Sequence, residues 1–312
     1  MIKEKIALWE DRDDVFLHTM LREFEPNPML PTPPEAMPAV IVCPGGAYLF
    51  CSVALEGDTT ALAFLNGGYQ TFILEYTVGS KNPACRHPMP LLDLAKAMLI
   101  IRENAEAWHV DPERITLAGF SAGGNLVANM ATMWHKPMLR EYFGVESECF
   151  RPMAVILGYA LTDYVYQEEY NVSLLPSTLM LDARMAVFGT KDPTKEQLEE
   201  MSPCLHVTEK TPPMFLVHAA NDTLVPARHS LKMAAALADA GVEYELHIFK
   251  NGEHGFATGV PNGAPYRSDR YFAISAWIDL ALKWLMHHAA PETAEHNPSV
   301  AEGMRQRARG NK

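Results

Sequence analysis

The chain has 312 residues, of which 48% are hydrophobic and 21% charged, an ordinary globular balance that excludes fibrous and wholly disordered classes. A formal net charge of −12 argues against a nucleic-acid partner, which would need clustered Lys and Arg to displace counterions from phosphates. The five cysteines have no CxxC spacing, which disfavours a disulfide framework and a structural zinc site.

The N-terminus "MIKEKIALWEDRDD" lacks an apolar signal region, and no window approaches the roughly 18 apolar residues of a membrane span. No membrane partner and a cytoplasmic location are therefore expected. Next in chain order, "KIALW" and "VFLHTML" flank the polar turn "EDRDD" and predict an antiparallel hairpin. Its edge fits either pairing with a second subunit, giving a homo-oligomer, or cover by the chain itself.

After the proline-rich "PNPMLPTPPEAMP", apolar β-rich runs alternate with longer helical patterns. The runs are "AVIVC" (39–43), "YQTFILEY" (69–76), "RITLAGF" (114–120), "PMAVILGY" (152–159), "PMFLVHAA" (213–220) and "EYELHIFK" (243–250). Near-continuous apolar strands suit a mainly parallel sheet covered on both faces, an α/β class with flanking helices. A single domain over 1–290 is expected. Residues 160–211, containing the helical "KEQLEEM", would form a small insertion near the site rather than a large cap domain, and 291–312 would form a flexible tail.

The run "RITLAGF" ends at a GxSxG string, Gly119 to Gly123, and a small-residue helical pattern follows. A serine at a tight strand-to-helix corner, with glycines where a Cβ would clash, is a nucleophile elbow; otherwise Ser121 is only the helix cap. A serine hydroxyl needs a base, and the base an orienting acid. Asp222 follows the strand "PMFLVHAA" and His254 follows "EYELHIFK", giving the order Ser, Asp, His of the α/β-hydrolase fold. Asp163 is the rival acid, His218 reads as a core histidine, and His229 stands at a helix start.

Upstream, "CPGGAY" follows the first parallel strand. Glycines let backbone N–H groups approach a developing oxyanion, so Gly45 and Gly46, with Ala122 after the nucleophile, are the expected oxyanion-hole donors. No metal or organic cofactor is required by this apparatus.

The pieces "CPGGAY", "GYQTFILEY", "HPMPLLDLAKAM", "VDPERITLAGFSAGGNLVA", "SPCLHVTEKTPPMFLVHAANDTLVP" and "NGEHGF" together resemble α/β-hydrolase esterases related to the hormone-sensitive-lipase type. More narrowly, they resemble the acetyl esterase/acetyl-xylan-esterase-like group, which carries PGGGY where lipases of that type carry HGGG. Ala47 stands in place of the third glycine; if a third N–H contributes, Ala47 still supplies one. The resemblance implies a carboxylesterase acting on short-chain, often acetyl, esters, including acetylated carbohydrate.

The alternatives are a small-amide hydrolase of kynurenine-formamidase type, whose string resembles HGGxW, and a non-catalytic ligand-binding hydrolase fold. Tyr48, Asn125, Tyr159 and Phe256 are candidate substrate contacts, each with loop packing as its other reading.

Overall fold

The computed structural model describes residues 1–23, 36–79, 82, 85–173, 178–259 and 273–289; the expected tail at 291–312 lies outside them. The strands are β1 (Lys5–Ala7), β2 (Phe16–Met20), β3 (Met37–Cys43), β4 (Gln70–Glu75), β5 (Val110–Phe120), β6 (Ala154–Gly158), β7 (Met214–Ala219) and β8 (Tyr244–Phe249). They form one open sheet in the order β1-β2-β4-β3-β5-β6-β7-β8. The β1–β2 and β2–β4 pairs are antiparallel, and the rest are parallel.

Alternation along the central strands explains their continuous apolar runs, whereas the edge strand β8, expected to be covered on both faces, is partly exposed along its length. Ala39, Ile41 and Cys43 face one core layer while Val40 and Val42 face the other; on β6, Val155 and Leu157 oppose Ala154 and Ile156. The helices are α1 (Thr59–Asn66), α2 (Met89–Glu103), α3 (Ser121–Met133), α4 (Pro137–Phe143), α5 (Tyr164–Ser173), α6 (Thr178–Phe188), α7 (Lys195–Glu200), α8 (Arg228–Asp239) and α9 (Trp277–Ala289), of which α1, α2, α3, α8 and α9 pack against the sheet. Among the described residues no helix is long and apolar enough to cross a membrane. All five cysteines are free thiols.

Register places the loops that matter side by side. The chain leaves β3 toward β4 and returns to β5 on its other flank, making the switch point where open α/β sheets bind ligands. Cys43 pairs with Gly119, so the loop beginning at Pro44 and the β5–α3 corner at Ser121 emerge together. Ala219 pairs with Phe249, which brings the Asp222 and His254 loops out as neighbours. The stretch 160–211 holds α5 and α6 as well as α7, which covers the helical piece read in the sequence.

Candidate active site

Ser121 opens α3 directly from β5 with φ of +52°, a left-handed conformation that costs a β-carbon-bearing residue about 1–3 kcal/mol. Helix α3 has Phe120 at its N-cap and no side-chain capping bond, so Ser121 is not there as a cap. The flanking glycines are steric requirements. A Cβ on Gly119 would lie 2.3 Å from the Gly123 carbonyl oxygen, and one on Gly123 would lie 2.1 Å from that of Cys43. Without them α3 could not sit against the end of β3.

The Ser121 hydroxyl lies 2.9 Å from His254 Nε2, and His254 Nδ1 lies 2.7 Å from Asp222 Oδ2. With the proton on Nδ1 donated to the carboxylate, Nε2 is left to accept from the serine. The other carboxylate oxygen, Oδ1, accepts from the N–H groups of Leu224 and Val225, each at 2.9 Å.

Burial alone would raise the Asp222 carboxyl, but hydrogen bonds from His218 and His254 and from the Val225 backbone outweigh it and hold the group well below the usual carboxylate range. Asp222 therefore stays ionised opposite the imidazole. The indole of Trp277 on α9 donates to the Ala257 carbonyl at 2.9 Å and anchors the far side of the histidine loop.

His218 is the core histidine expected from its strand, fully buried, and it has a second role that its position in β7 did not reveal. Its Nε2–H donates to the Val225 carbonyl at 2.8 Å and lies 3.4 Å from Asp222 Oδ2, while Nδ1 accepts from Ser230 at 2.8 Å. It thus steadies both the acid and its loop. Asp163 is not the acid: it pairs with Lys232 and accepts from the Tyr166 N–H at 2.9 Å. His229 is buried, and Nδ1 faces the Thr162 and Asp163 N–H groups; burial, reinforced by the nearby His218, holds it down to about 3.

The oxyanion loop requires one correction. The N–H of Gly45, expected as a donor to substrate, instead donates to Glu56 Oε2 at 2.6 Å and is committed inside the protein. Among the described residues the N–H groups of Gly46, Ala47 and Ala122 have no protein acceptor, and Ala47 and Ala122 line the cavity beside Ser121. Ala47, with φ of +57°, adopts the left-handed turn that the family's third glycine would take without strain.

Glu56 is the site residue that sequence reasoning missed. Only 4% exposed, it accepts from Gly45 on Oε2 and from the Tyr159 hydroxyl, at 2.7 Å, on Oε1. That hydroxyl accepts in turn from the Ala257 N–H at 3.1 Å, and the Tyr159 ring stands edge-on to His254 at 5.0 Å. One buried carboxylate therefore ties the oxyanion loop to the histidine loop. Burial pushes its carboxyl up, and the hydrogen bonds from Tyr159 and Gly45 offset only part of that effect. A single Glu in "SVALEGDTT" carries no signal of such a reach.

Of the four candidate substrate contacts, only Tyr48 lines the cavity. Asn125 is fully buried and internally committed: it accepts from the Tyr48 hydroxyl at 2.9 Å and donates to the Leu161 and Met201 carbonyls. Tyr159 is fully buried in its bond to Glu56, and Phe256 packs on its ring at 4.5 Å. These three are corrected from substrate contacts to supports, because their polar atoms or faces already have protein partners.

The cavity at Ser121 measures about 70 Å³. Ala47, Tyr48 and Ala122 form one side; Leu161, Tyr164, Met180, Phe188 and Leu198 face them from the insertion. Its charged lining residues, Glu168 of α5 and Arg184 of α6, pair with one another and join the two helices. No group of three or more His, Cys, Asp or Glu able to hold a metal occurs among the described residues.

A family model described as BD-FAE matches residues 29–237. The chain belongs to the BD-FAE family. It is 30% identical over 219 residues to the endo-1,4-beta-xylanase B of Butyrivibrio fibrisolvens, covering 69% of this chain and 32% of that protein. It is 26% identical over 226 residues to the acetylxylan esterase of Xylanibacter ruminicola, covering 71% of this chain and 41% of the relative.

The chain therefore spans less than half the length of these two relatives. Among solved structures, the carboxylesterase Cest-2923 of Lactobacillus plantarum WCFS1 superimposes with a TM-score of 0.76 at 27% identity, over 92% of this chain and 98% of that one. The BD-FAE member described here thus has the α/β-hydrolase fold, with an open and mostly parallel sheet.

Proposed function

We propose that the chain is a serine carboxylesterase that hydrolyses short acyl esters, acetyl esters of carbohydrate among them, through an acyl-enzyme. The observation that carries this reading is the continuous Ser121–His254–Asp222 chain of 2.9 and 2.7 Å contacts at the mouth of a small apolar cavity. Ser121 Oγ attacks the ester carbonyl as His254 Nε2 takes its proton, and Asp222 stabilises the imidazolium. The carbonyl oxygen, now negative, is held by the N–H of Ala122 with those of Gly46 and Ala47, at the positive end of α3. Collapse expels the alcohol with the proton from His254, and water repeats the sequence to release the acid.

Size supports a short acyl group. An apolar cavity of roughly 150 Å³ holds benzene, whereas this one is about 70 Å³. The acetylxylan esterase relative supports acetylated carbohydrate as the alcohol side.

The test is a comparison of kcat/KM on p-nitrophenyl acetate, butyrate and octanoate, on acetylated xylo-oligosaccharides and on N-formylkynurenine. Acetate and butyrate are expected to exceed octanoate by at least about tenfold, the equivalent of one misfitted contact of roughly 1.4 kcal/mol. Faster turnover of octanoate would overturn the short-acyl reading, and faster turnover of N-formylkynurenine would overturn the esterase reading in favour of the small amide.

A further inference from the structure

Tyr48 belongs to two cavities at once. One face of it borders the 70 Å³ cavity at Ser121; behind it lies a void of about 10 Å³, bounded by His87 and Leu91, by Leu126 and Asn129 of α3, and by Val187 of α6. The void is no larger than one water-sized sphere, and Tyr48 is the residue that lines both it and the cavity at Ser121. Asn129, one of its lining residues, is 1% exposed and its Oδ1 has no partner among the described residues; the rest of the lining is mainly apolar.

We infer that Tyr48 is the specificity-determining residue that sets acyl length, acting as a fixed partition between the two cavities; this rests on the esterase reading above. The ring is clamped on both sides. Its hydroxyl donates to Asn125 Oδ1 at 2.9 Å, and its edge meets the Tyr76 ring at 5.8 Å between centroids. Tyr76 is held in its turn by a 2.7 Å bond from its hydroxyl to the Pro44 carbonyl.

Swinging Tyr48 aside would strip a buried hydroxyl of its partner. The partition therefore stays shut for a long acyl chain as well as for a short one. Removing the ring joins the cavity, the space of the ring and the void into one channel running between α2, α3 and α6.

The experiment measures kcat/KM on p-nitrophenyl acetate, butyrate, hexanoate and octanoate for the wild type and for Tyr48→Ala, Tyr48→Leu and Tyr48→Phe, with thermal melts alongside. Tyr48→Ala and Tyr48→Leu are expected to raise the octanoate-to-acetate ratio by about tenfold or more over the wild type. Tyr48→Phe keeps the ring and its contact with Tyr76 but loses the bond to Asn125, so its ratio rises by much less than in the Ala and Leu variants.

Two results overturn the inference: a wild-type ratio in whichever of the Ala and Leu variants is folded, or a shift in Tyr48→Phe as large as in those variants. Failure of the esterase reading is distinct, because it would appear as a wild type that hydrolyses none of the esters.

Discussion

Ser121→Ala is expected to lower kcat on p-nitrophenyl acetate by about 10⁴- to 10⁶-fold while leaving the melting transition near that of the wild type. The substitution removes one oxygen, which makes a 2.9 Å hydrogen bond to His254. Alanine retains the Cβ and the same left-handed strain that Ser121 carries at φ of +52°, so the corner between β5 and α3 is unchanged. Residual turnover above the uncatalysed rate would remain, because the N–H groups of Ala122 and the oxyanion loop still stabilise attack by water. Steady-state kinetics beside a thermal melt checks both halves; an Ala variant with near wild-type turnover would remove Ser121 from the chemistry.

Asp222→Asn is expected to lower kcat by about 10⁴-fold, for a reason that the hydrogen bonds dictate. Oδ1 of Asp222 faces two N–H donors, so the carbonyl oxygen of Asn would keep that place and present its NH₂ to His254. His254 Nδ1 must then accept rather than donate, the ring proton moves to Nε2, and no lone pair remains for the serine. His218 aggravates the mismatch, because its Nε2–H, 3.4 Å from Asp222 Oδ2 and held by the Val225 carbonyl, would confront the same NH₂. A stability loss of about 1–3 kcal/mol follows from unmatched buried donors.

The pH dependence of that loss has a definite sign. The Asp222 carboxyl is held well below its ordinary 3.8, so the folded state binds fewer protons than the unfolded chain. The resulting stabilisation is present in full above that value and is lost as the pH falls from it toward the lower folded value. The gap in melting temperature between wild type and Asp222→Asn should therefore be constant near neutrality and narrow in acid. A gap that widens in acid would contradict this account.

The sheet was legible in the sequence, and so was the grouping of Ser121, Asp222 and His254 within hydrogen-bond reach, because each rests on a local pattern with a steric cause. Buried parallel strands need apolar residues on both faces, and the elbow needs glycine at 119 and 123, where any Cβ would meet a carbonyl oxygen. What escaped was decided by reach across the fold. Whether Gly45 or Ala47 offers a free N–H depends on Glu56, 11 residues beyond Gly45, and nothing local to "CPGGAY" records that. Asn125 lies one turn beyond Ser121 on α3 and the Tyr159 ring stands against His254, but their polar atoms face Tyr48 and Glu56 rather than the cavity. Helices α5 and α6 were obscure because Tyr164, Met180 and Phe188 line the cavity wall, which blurs the single apolar stripe of a helix packed on a core.

An ester's acyl group that passes through Ser121 can be caught there. The protein is mixed with p-nitrophenyl acetate, quenched in acid during turnover, digested and mapped by mass spectrometry. One acetyl group is expected on the peptide carrying Ser121, absent from Ser121→Ala, and discharged when the unquenched protein is left to turn over. Turnover with no acetyl on Ser121, or with acetylation elsewhere in a chain whose Ser121→Ala variant still hydrolyses the ester, would contradict passage of the acyl group through Ser121.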